Sequence, residues 1–283
     1  MTLSSPGTRV VGACLRDARE RRMMLPEESA DALGIDVPAL LAIEEGHRRI
    51  KPDALDTLTD LYRYPGTQAL RRLLAQHLDH AGVVRDQEPD HAARLAACVD
   101  SASGVRWQST VVLPGPLQTP AYAQAVGAVP VTRPGAPRQP ASSAVYLVDE
   151  RVIQRSSDDA ALMAEQLEHL LRLLDSGTDI RVLPATCPVP QPAGHLVELH
   201  LPKGPVWARP GPDRVDYCAT HGFADAITNT LSGTDPGFSW EALSRAAAAH
   251  RALAPSPRRA LSPSGNPPTP ADRPATSSAR RAP

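Results

Sequence analysis

The chain has 283 residues, of which 42% are hydrophobic and only 4% aromatic, and its formal net charge at pH 7 is −1. This length allows two modest domains and an additional segment, and the core must consist mainly of Leu, Val and Ala. The near-zero charge excludes a chain that binds polyanions through overall basicity. Any nucleic-acid surface must therefore be local.

The sequence shows no targeting segment and no membrane span. No apolar stretch follows the initial Met, and no later run approaches the length that a bilayer requires. Cys14, Cys98, Cys187 and Cys218 are far apart and form no CxxC pair, which is typical of reduced thiols. We expect a cytoplasmic protein without a membrane partner.

Residues 1–82 are predicted to form a compact all-α domain of five short helices. The first, "VVGACLRDARERR", is amphipathic, and the second, "PEESADALG", begins with Pro and two carboxylates and stops at Gly34. The fourth, "DALDTLTDLYR", repeats Leu in helical register, and the fifth, "QALRRLLAQHLDHAG", ends at Gly82.

The third helix lies in "LGIDVPALLAIEEG", residues 33–46, which has the pattern of the turn and second helix of a helix-turn-helix. Asp36 is expected to cap this helix, Pro38 to occupy its first turn and Gly46 to end it. The positions expected to face a DNA groove are Val37, Pro38, Ala39, Leu41, Ala42 and Glu45. Apart from one carboxylate they are apolar, whereas base edges are usually contacted by Arg, Lys, Asn, Gln, Ser or Thr.

A basic loop, "HRRIKP", follows this helix. We predict that its cations Arg48, Arg49 and Lys51 contact DNA phosphates, which supply most of the affinity in such complexes. Glu27, Glu28 and Glu45 oppose them by repelling phosphate.

The chain changes character after the helical domain. Residues 83–91 are polar and predicted to be a linker, and residues 92–253 are predicted to form an α+β domain. Strands are expected in "VRWQSTVVLPG", "AVYLV", "IRVLP" and "HLVELHLP", and helices in "DDAALMAEQLEHLLRLLDSG", "HGFADAITNTLSG" and "SWEALSRAAAAHRAL". The Pro-rich residues 254–283 contain almost no bulky apolar side chains, so a disordered tail is predicted.

The first domain resembles the XRE-type helix-turn-helix proteins, a group that includes phage repressors. The resemblance rests on "LRDARERR" at 15–22, "EESADALGI" at 27–35, "LLAIEEG" at 40–46 and Pro52 before a Leu-periodic helix. It implies that Glu44 is buried against the fold. It also implies a regulator that binds double-stranded DNA, which we expect to be a homodimer.

The second domain resembles the C-terminal domain of actinobacterial WhiJ-type regulators. The resemblance rests on "LPGPLQTPAYAQA" at 113–125, "RQ" at 138–139, "VDERVI" at 148–153, "QLEHLLRL" at 166–173 and "IRVLP" at 180–184. It implies an antitoxin-like arrangement in which this domain contacts a small partner protein encoded nearby. Partner- or ligand-binding candidates are the polar tips of Gln118 and Tyr122 and the carboxylates of Asp149 and Glu150.

These candidate residues also have simpler structural explanations. In "LPGPLQTPAYAQA", Pro114 and Gly115 supply a turn, Thr119 caps a helix and Tyr122 packs. Asp149 and Glu150 fit either a strand or the first turn of a helix, where carboxylates complement the dipole.

Neither catalysis nor metal binding is indicated, and we expect no enzyme, cofactor or metal. His195 and His200, with Cys218 and His221, resemble a loose zinc set, but their spacing on a strand places the two strand histidines on opposite faces. A phosphate loop, a Gly-x-Ser-x-Gly elbow and a His-Glu-x-x-His motif are absent from the sequence.

The leading hypothesis is a DNA-binding transcriptional regulator whose C-terminal domain senses a signal or a partner. The alternative is a protein–protein interaction module whose helix-turn-helix no longer binds DNA and presents its apolar helix surface to a partner.

Overall fold

The computed structural model describes residues 5–76, 82–127, 144–155, 159–186, 194–219 and 234–254. Within these residues, five helices are followed by one seven-stranded mixed sheet with further helices packed on it. The predicted fold class, an all-α first domain and an α+β second domain, is confirmed. The tail predicted for residues 254–283 lies outside the described residues except for Ala254.

The five helices of the first domain begin and end where local chemistry predicts. Pro occupies the first or second position of the first four helices, where a missing backbone N–H leaves no bond unmade. Apolar side chains on one face of each helix meet in a common core. The helices are α1 (Pro6–Arg21), α2 (Pro26–Leu33), α3 (Val37–Glu44), α4 (Pro52–Leu61) and α5 (Thr67–Ala75).

The fifth helix is shorter than predicted. It ends at Ala75, and Gln76 is already extended, whereas the sequence pattern placed the end at Gly82. The Gln76 amide explains this end, because its Nε2 donates to the Arg85 carbonyl at 2.7 Å and its Oε1 accepts from the Arg85 N–H at 2.8 Å. These two bonds fix the chain where it leaves the helix. Residues 77–81 lie outside the described residues.

The second domain is built on a sheet with strand order β1-β7-β6-β5-β2-β3-β4. β2, β3 and β4 are parallel, and the other neighbours are antiparallel. The strands are β1 (Val83–Asp86), β2 (Val105–Ser109), β3 (Ala144–Asp149), β4 (Asp179–Leu183), β5 (His195–Leu201), β6 (Gly204–Pro210) and β7 (Val215–Cys218).

Helices of the second domain cover the sheet. Two long helices pack against each other and against the β3–β4 side, where Leu167, Leu170 and Leu243 are fully buried in a separate apolar cluster. The helices are α6 (His91–Ser101), α7 (Pro120–Ala125), α8 (Glu150–Gln154), α9 (Ala160–Asp175) and α10 (Pro236–Leu253).

The two domains share one continuous core rather than being joined by a linker. β1 lies inside the predicted linker 83–91 and pairs with β7, and the next residues lead directly into α6. Arg94 of α6 binds Asp86 of β1 through two bonds of 2.6 and 2.7 Å, and both side chains are buried. The linker prediction is therefore wrong, because this ion pair and the strand pairing fix the segment in the fold.

α6 also packs on α1 of the first domain. Cys14 of α1 and Cys98 of α6 are both fully buried in the shared core, and the Cys14 thiol donates to the Arg94 carbonyl at 3.9 Å. On the other side of α1, Arg9 donates to the carbonyls of Gly204 and Pro205 in β6 at 2.7 and 3.3 Å. α1 is thus held by the second domain at both contacts.

The four predicted strands and the two long helices of the second domain are present, whereas β1, β6, β7 and α6 were not predicted. The helix expected at 221–233, "RQ" at 138–139 and Cys187 lie outside the described residues. In the part of the chain that the structure describes, no helix is both long and apolar enough to cross a bilayer.

Candidate nucleic-acid interface

The turn between α2 and α3 has the geometry that its sequence predicts. Gly34 ends α2 in the left-handed region with φ 64°, a conformation that glycine adopts without a Cβ penalty. The carboxylate of Asp36 then caps α3 by accepting from the Ala39 N–H at 2.8 Å. This confirms the predicted turn and the predicted start of the third helix.

α3 is held against α1 by unusually close backbone contact. A Cβ on Gly12 would lie 2.6 Å from the carbonyl oxygens of both Ile43 and Glu44, so only glycine fits between the helices. Just after α3, Gly46 has φ 70°, and a Cβ there would lie 2.6 Å from the Cα of Arg9. These two glycines set how deeply α3 sits on the domain.

A buried ion pair fixes the end of α3. Arg19 of α1 donates from Nε and Nη2 to the two carboxylate oxygens of Glu44 at 2.7 and 2.8 Å, and from Nη1 to the Met24 carbonyl at 3.0 Å. This pairing raises the pKa of Arg19. The burial expected of Glu44 is confirmed at 3% exposure, whereas its partner Arg19 was not predicted. The sequence signal for a buried Arg19 was its position one helical turn after Leu15, on the apolar face of α1.

The outward face of α3 is apolar with one carboxylate. Pro38 and Leu41 are exposed, Ala39 and Ala42 are half-buried, and Val37 is half-buried and packs against the core of the first domain. Val37, one of the predicted DNA-facing residues, therefore serves mainly to pack α3 on the domain. The Glu45 carboxylate lies 3.5 Å from Nδ1 of His47, the first residue of the basic loop.

The three predicted phosphate contacts are not equivalent. Arg48 and Lys51 are exposed and have no side-chain partner among the described residues. Arg49 instead donates to the Leu74 carbonyl near the end of α5. Two cations beside α3 are thus available to an anion, and the third links the loop to α5.

The carboxylates at the start of α2 also differ in whether another group of the protein engages them. Glu28 accepts from the Leu25 N–H at 2.7 Å and so completes the N-terminal cap of α2. Glu27 is exposed and has no side-chain partner among the described residues. Of the three glutamates expected to oppose phosphate, Glu27 is therefore the one that no neighbour engages.

In the second domain, "LPGPLQTPAYAQA" forms the turn and the start of α7 that its sequence predicts. Thr119 caps α7 by accepting from the Tyr122 N–H at 3.2 Å. Tyr122 is 7% exposed, and its hydroxyl accepts from the Leu113 N–H at 3.4 Å. Gln118 donates to the Leu113 carbonyl at 2.7 Å and remains half-buried. Of the two polar tips predicted for binding, Tyr122 is a structural residue, because its hydroxyl is satisfied inside the fold.

A buried glutamine holds this segment in place, a role that was not predicted. Gln166 of α9 is fully buried, donates to the Leu117 carbonyl at 2.8 Å and accepts from the Thr119 N–H at 2.7 Å. The signal was a polar residue on the apolar face of an otherwise Leu-rich helix.

Asp149 and Glu150, predicted to bind a partner or ligand, both make hydrogen bonds within the fold. Asp149 is 3% exposed and caps α8 by accepting from the Arg151 N–H at 2.8 Å. Glu150 accepts from the Gln154 amide at 2.7 Å and from the Ala185 N–H at 3.0 Å. Both carboxylates are used to close the end of β3 and the start of α8, and their role in binding stays a prediction.

The histidines of β5 do not come together. His195 accepts from Nε1 of Trp107 at 3.4 Å, whereas His200 lies 3.3 Å from Glu198. Burial lowers the pKa of His195 to about 4. Within the described residues no group of three His, Cys, Asp or Glu is arranged to hold a metal ion, and His221 lies outside them.

The comparison with protein families agrees with this division of the chain. The family described as helix-turn-helix domain matches residues 10–74, and the domain of unknown function DUF5753 matches residues 92–250, more than half of the chain. The chain belongs to the DUF5753 family. Its helix-turn-helix domain places this DUF5753 protein among the DNA-binding regulators. No curated protein and no solved structure matches the chain.

Proposed function

We propose that the protein is an XRE-type transcriptional regulator that binds double-stranded DNA as a homodimer and whose DUF5753 domain receives a signal or a partner. The observation that supports DNA binding is the position of Arg48 and Lys51, two exposed cations beside the outward face of α3 that have no side-chain partner among the described residues. Cations at this position can neutralise phosphates on the flank of the groove that α3 enters.

The composition of α3 determines what kind of recognition is proposed. Pro38, Ala39, Leu41 and Ala42 carry no hydrogen-bonding side-chain groups, so they cannot make bidentate contacts with bases. Apolar side chains in the major groove contact thymine methyl groups, and sequence-dependent DNA shape adds further selectivity. In a homodimer, two such helices would address half-sites about one helical turn apart.

The proposed role of the second domain rests on its resemblance to WhiJ-type regulators and on its packing. The resemblance supports an antitoxin-like arrangement with a small partner protein encoded nearby. α1 touches α3 through Gly12 and touches the second domain through Arg9 and Cys14. A partner or ligand that shifts the second domain would therefore act on the DNA-facing helix through α1.

The proposal is tested by adding one cation to the outward face of α3. Ala42→Arg should strengthen binding to random genomic fragments and steepen its salt dependence by about one charge, because one more phosphate is neutralised. Ala248→Arg is the matched control, since Ala248 is an exposed alanine on α10 of the second domain. The measurement is a salt-titrated binding assay on all three proteins. No detectable binding by wild type or Ala42→Arg at low salt would refute DNA binding.

The second candidate function is a protein-interaction module that has lost DNA binding. It is favoured by the exposed apolar surface of α3, in which Leu41 is 37% exposed and Pro38 lies beside it, and by the carboxylate of Glu45. An exposed apolar patch of this kind is typical of an interface. On this alternative Ala42→Arg has no effect on DNA and weakens partner binding.

A further inference from the structure

A cavity of about 330 Å³ lies in the second domain, between α6, the sheet and the segment "LPGPLQTPAYAQA". This volume is within the usual range of small-molecule sites. Most of its wall is apolar, and its apolar side chains include Leu95, Trp107, Val111, Val112, Val126 and Val215. The proposed DNA-binding surface uses none of these residues.

The described part of the cavity wall carries the imidazole rings of His91 and His195 but no permanently charged side chain. Among the described residues that line it there is no Asp, Glu, Lys or Arg. An ionised ligand would lose its hydration there without gaining a counter-charge, which is strongly unfavourable in an apolar site. The cavity therefore suits an uncharged molecule.

His195 supplies a hydrogen-bond donor to this cavity. Its Nδ1 accepts from Nε1 of Trp107 at 3.4 Å, and the two rings meet edge to face with centroids 6.2 Å apart. The ring is neutral at pH 7, because burial lowers the pKa of His195 to about 4. A neutral ring that accepts at Nδ1 carries its proton at Nε2. No described residue accepts from this Nε2–H.

Gln118 supplies the complementary acceptor. Its Nε2 donates to the Leu113 carbonyl at 2.7 Å, which fixes the orientation of the amide. Its Oε1 has no donor among the described residues, and Gln118 lines the cavity. The His195 Nε2–H and the Gln118 Oε1 thus lie, together with the His91 ring, on a mostly apolar surface, the usual composition of a small-molecule site.

We propose that this cavity binds an uncharged, largely apolar small molecule with a carbonyl or ether oxygen that accepts a hydrogen bond from His195. His91, Ala92 and Leu95 of α6 line the cavity, and the same helix packs on α1 through Arg94 and Cys14. Occupancy therefore acts on the helix that links the two domains. The role of this molecule as the regulatory signal rests on the proposed function, whereas its binding does not.

The first test measures binding with a probe of the proposed chemistry. 6-Propionyl-2-(dimethylamino)naphthalene is uncharged, carries one ketone and changes its fluorescence in apolar sites. The full-length wild-type protein should bind it saturably at one site. Ala92→Phe adds a ring to the cavity wall and should weaken binding at least tenfold, with the far-ultraviolet circular dichroism and thermal midpoint confirming that the variant is folded. Absence of saturable binding, or equal binding by a folded Ala92→Phe, would overturn the site.

A second probe isolates the hydrogen bond to His195. 2-(Dimethylamino)naphthalene has the same ring without the ketone. His195→Leu should weaken the ketone probe about fivefold, the effect of one neutral hydrogen bond, and leave the ketone-free probe nearly unchanged. His200→Leu is the matched control on the same strand, because His200 pairs with Glu198 and does not line the cavity. If His195→Leu weakens both probes equally, the assigned donor is wrong.

These titrations contain no DNA, so their failure is distinct from failure of the proposed function. If the wild-type protein binds the ketone probe but no DNA, the proposed small-molecule site is supported and the proposed role as a DNA-binding regulator is contradicted. If the protein binds DNA but neither probe, only the proposed small-molecule site is contradicted.

Discussion

Arg19 and Glu44 form a bidentate ion pair that joins the C-terminal turn of α1 to the end of α3. The two bonds measure 2.7 and 2.8 Å, and the Glu44 side chain is 1% exposed. Both charges are out of water, so each depends on the other for compensation. The orientation of α3 therefore depends on this pair as well as on apolar packing.

Removing one partner of this pair should be strongly destabilising. Glu44→Ala leaves the Arg19 guanidinium buried without its carboxylate, and we expect the free energy of unfolding to fall by about 3 kcal/mol. Arg16→Ala is the control, because Arg16 forms an exposed i,i+4 pair with Glu20 on the same helix and should cost no more than about 0.5 kcal/mol. Urea denaturation of the three proteins makes the comparison. Similar losses for the two variants would contradict the role assigned to the pair.

The loop after α3 predicts unequal effects of its three cations. Arg48→Ala combined with Lys51→Ala should weaken DNA binding and reduce its salt dependence by about two charges, because neither side chain has a partner in the described part of the chain. Arg49→Ala should lower stability instead, by about 1 kcal/mol, because its guanidinium binds the Leu74 carbonyl. Arg245→Ala, a change at an exposed position of α10, serves as the control. A larger loss of salt slope for Arg49→Ala than for the pair would show that the loop rearranges on DNA.

Gln166 gives a prediction for the second domain. Gln166→Leu removes the side-chain donor to the Leu117 carbonyl and the side-chain acceptor of the Thr119 N–H. Each buried polar group left without a partner costs about 1–3 kcal/mol. We expect a loss of at least about 2 kcal/mol in the free energy of unfolding. Glu165→Leu makes a comparable change at the preceding, exposed position and should be nearly neutral. A neutral Gln166→Leu would mean that the segment finds other partners.

The sequence was informative where structure is determined locally. Asp36, Thr119 and the glycine after α2 specify caps and turns through their own side chains and dihedrals, and all three were predicted. The missed strands depend on distant partners. β1 has only four residues and is defined by pairing with β7, more than a hundred residues later, and β6 includes Pro205 and Pro210, which are unusual in a strand.

In the candidate site, too, features determined locally were predicted and features determined by tertiary contacts were not. The position of α3 and the presence of three cations beside it follow from the sequence pattern, whereas the engagement of Arg49 depends on where α5 ends. Likewise, Tyr122, Asp149 and Glu150 have polar groups suited to binding, but tertiary contacts satisfy those groups inside the fold. The cavity beside His195 was not predictable, because α6 and β7 contribute to its wall from distant parts of the chain.

The neutral state of His195 predicts a specific dependence of stability on pH. In the unfolded chain this ring titrates near 6.5, whereas burial lowers its pKa in the folded protein to about 4. Between these values the unfolded state binds a proton that the folded state does not. The stabilisation is therefore fully present above pH 6.5 and is lost as the pH falls toward 4, at up to about 1.4 kcal/mol per pH unit.

His195→Phe should remove this contribution. The wild-type free energy of unfolding should fall by as much as about 3 kcal/mol more than that of His195→Phe between pH 6.5 and 4, because the two pKa values differ by about 2.5 units. Loss of the acceptor for Trp107 lowers the stability of the variant at every pH alike, so the slope rather than the offset is the measurement. Parallel curves for wild type and His195→Phe from urea denaturation across this range would show that His195 takes up its proton as readily in the folded protein as in the unfolded chain, so that burial does not lower its pKa.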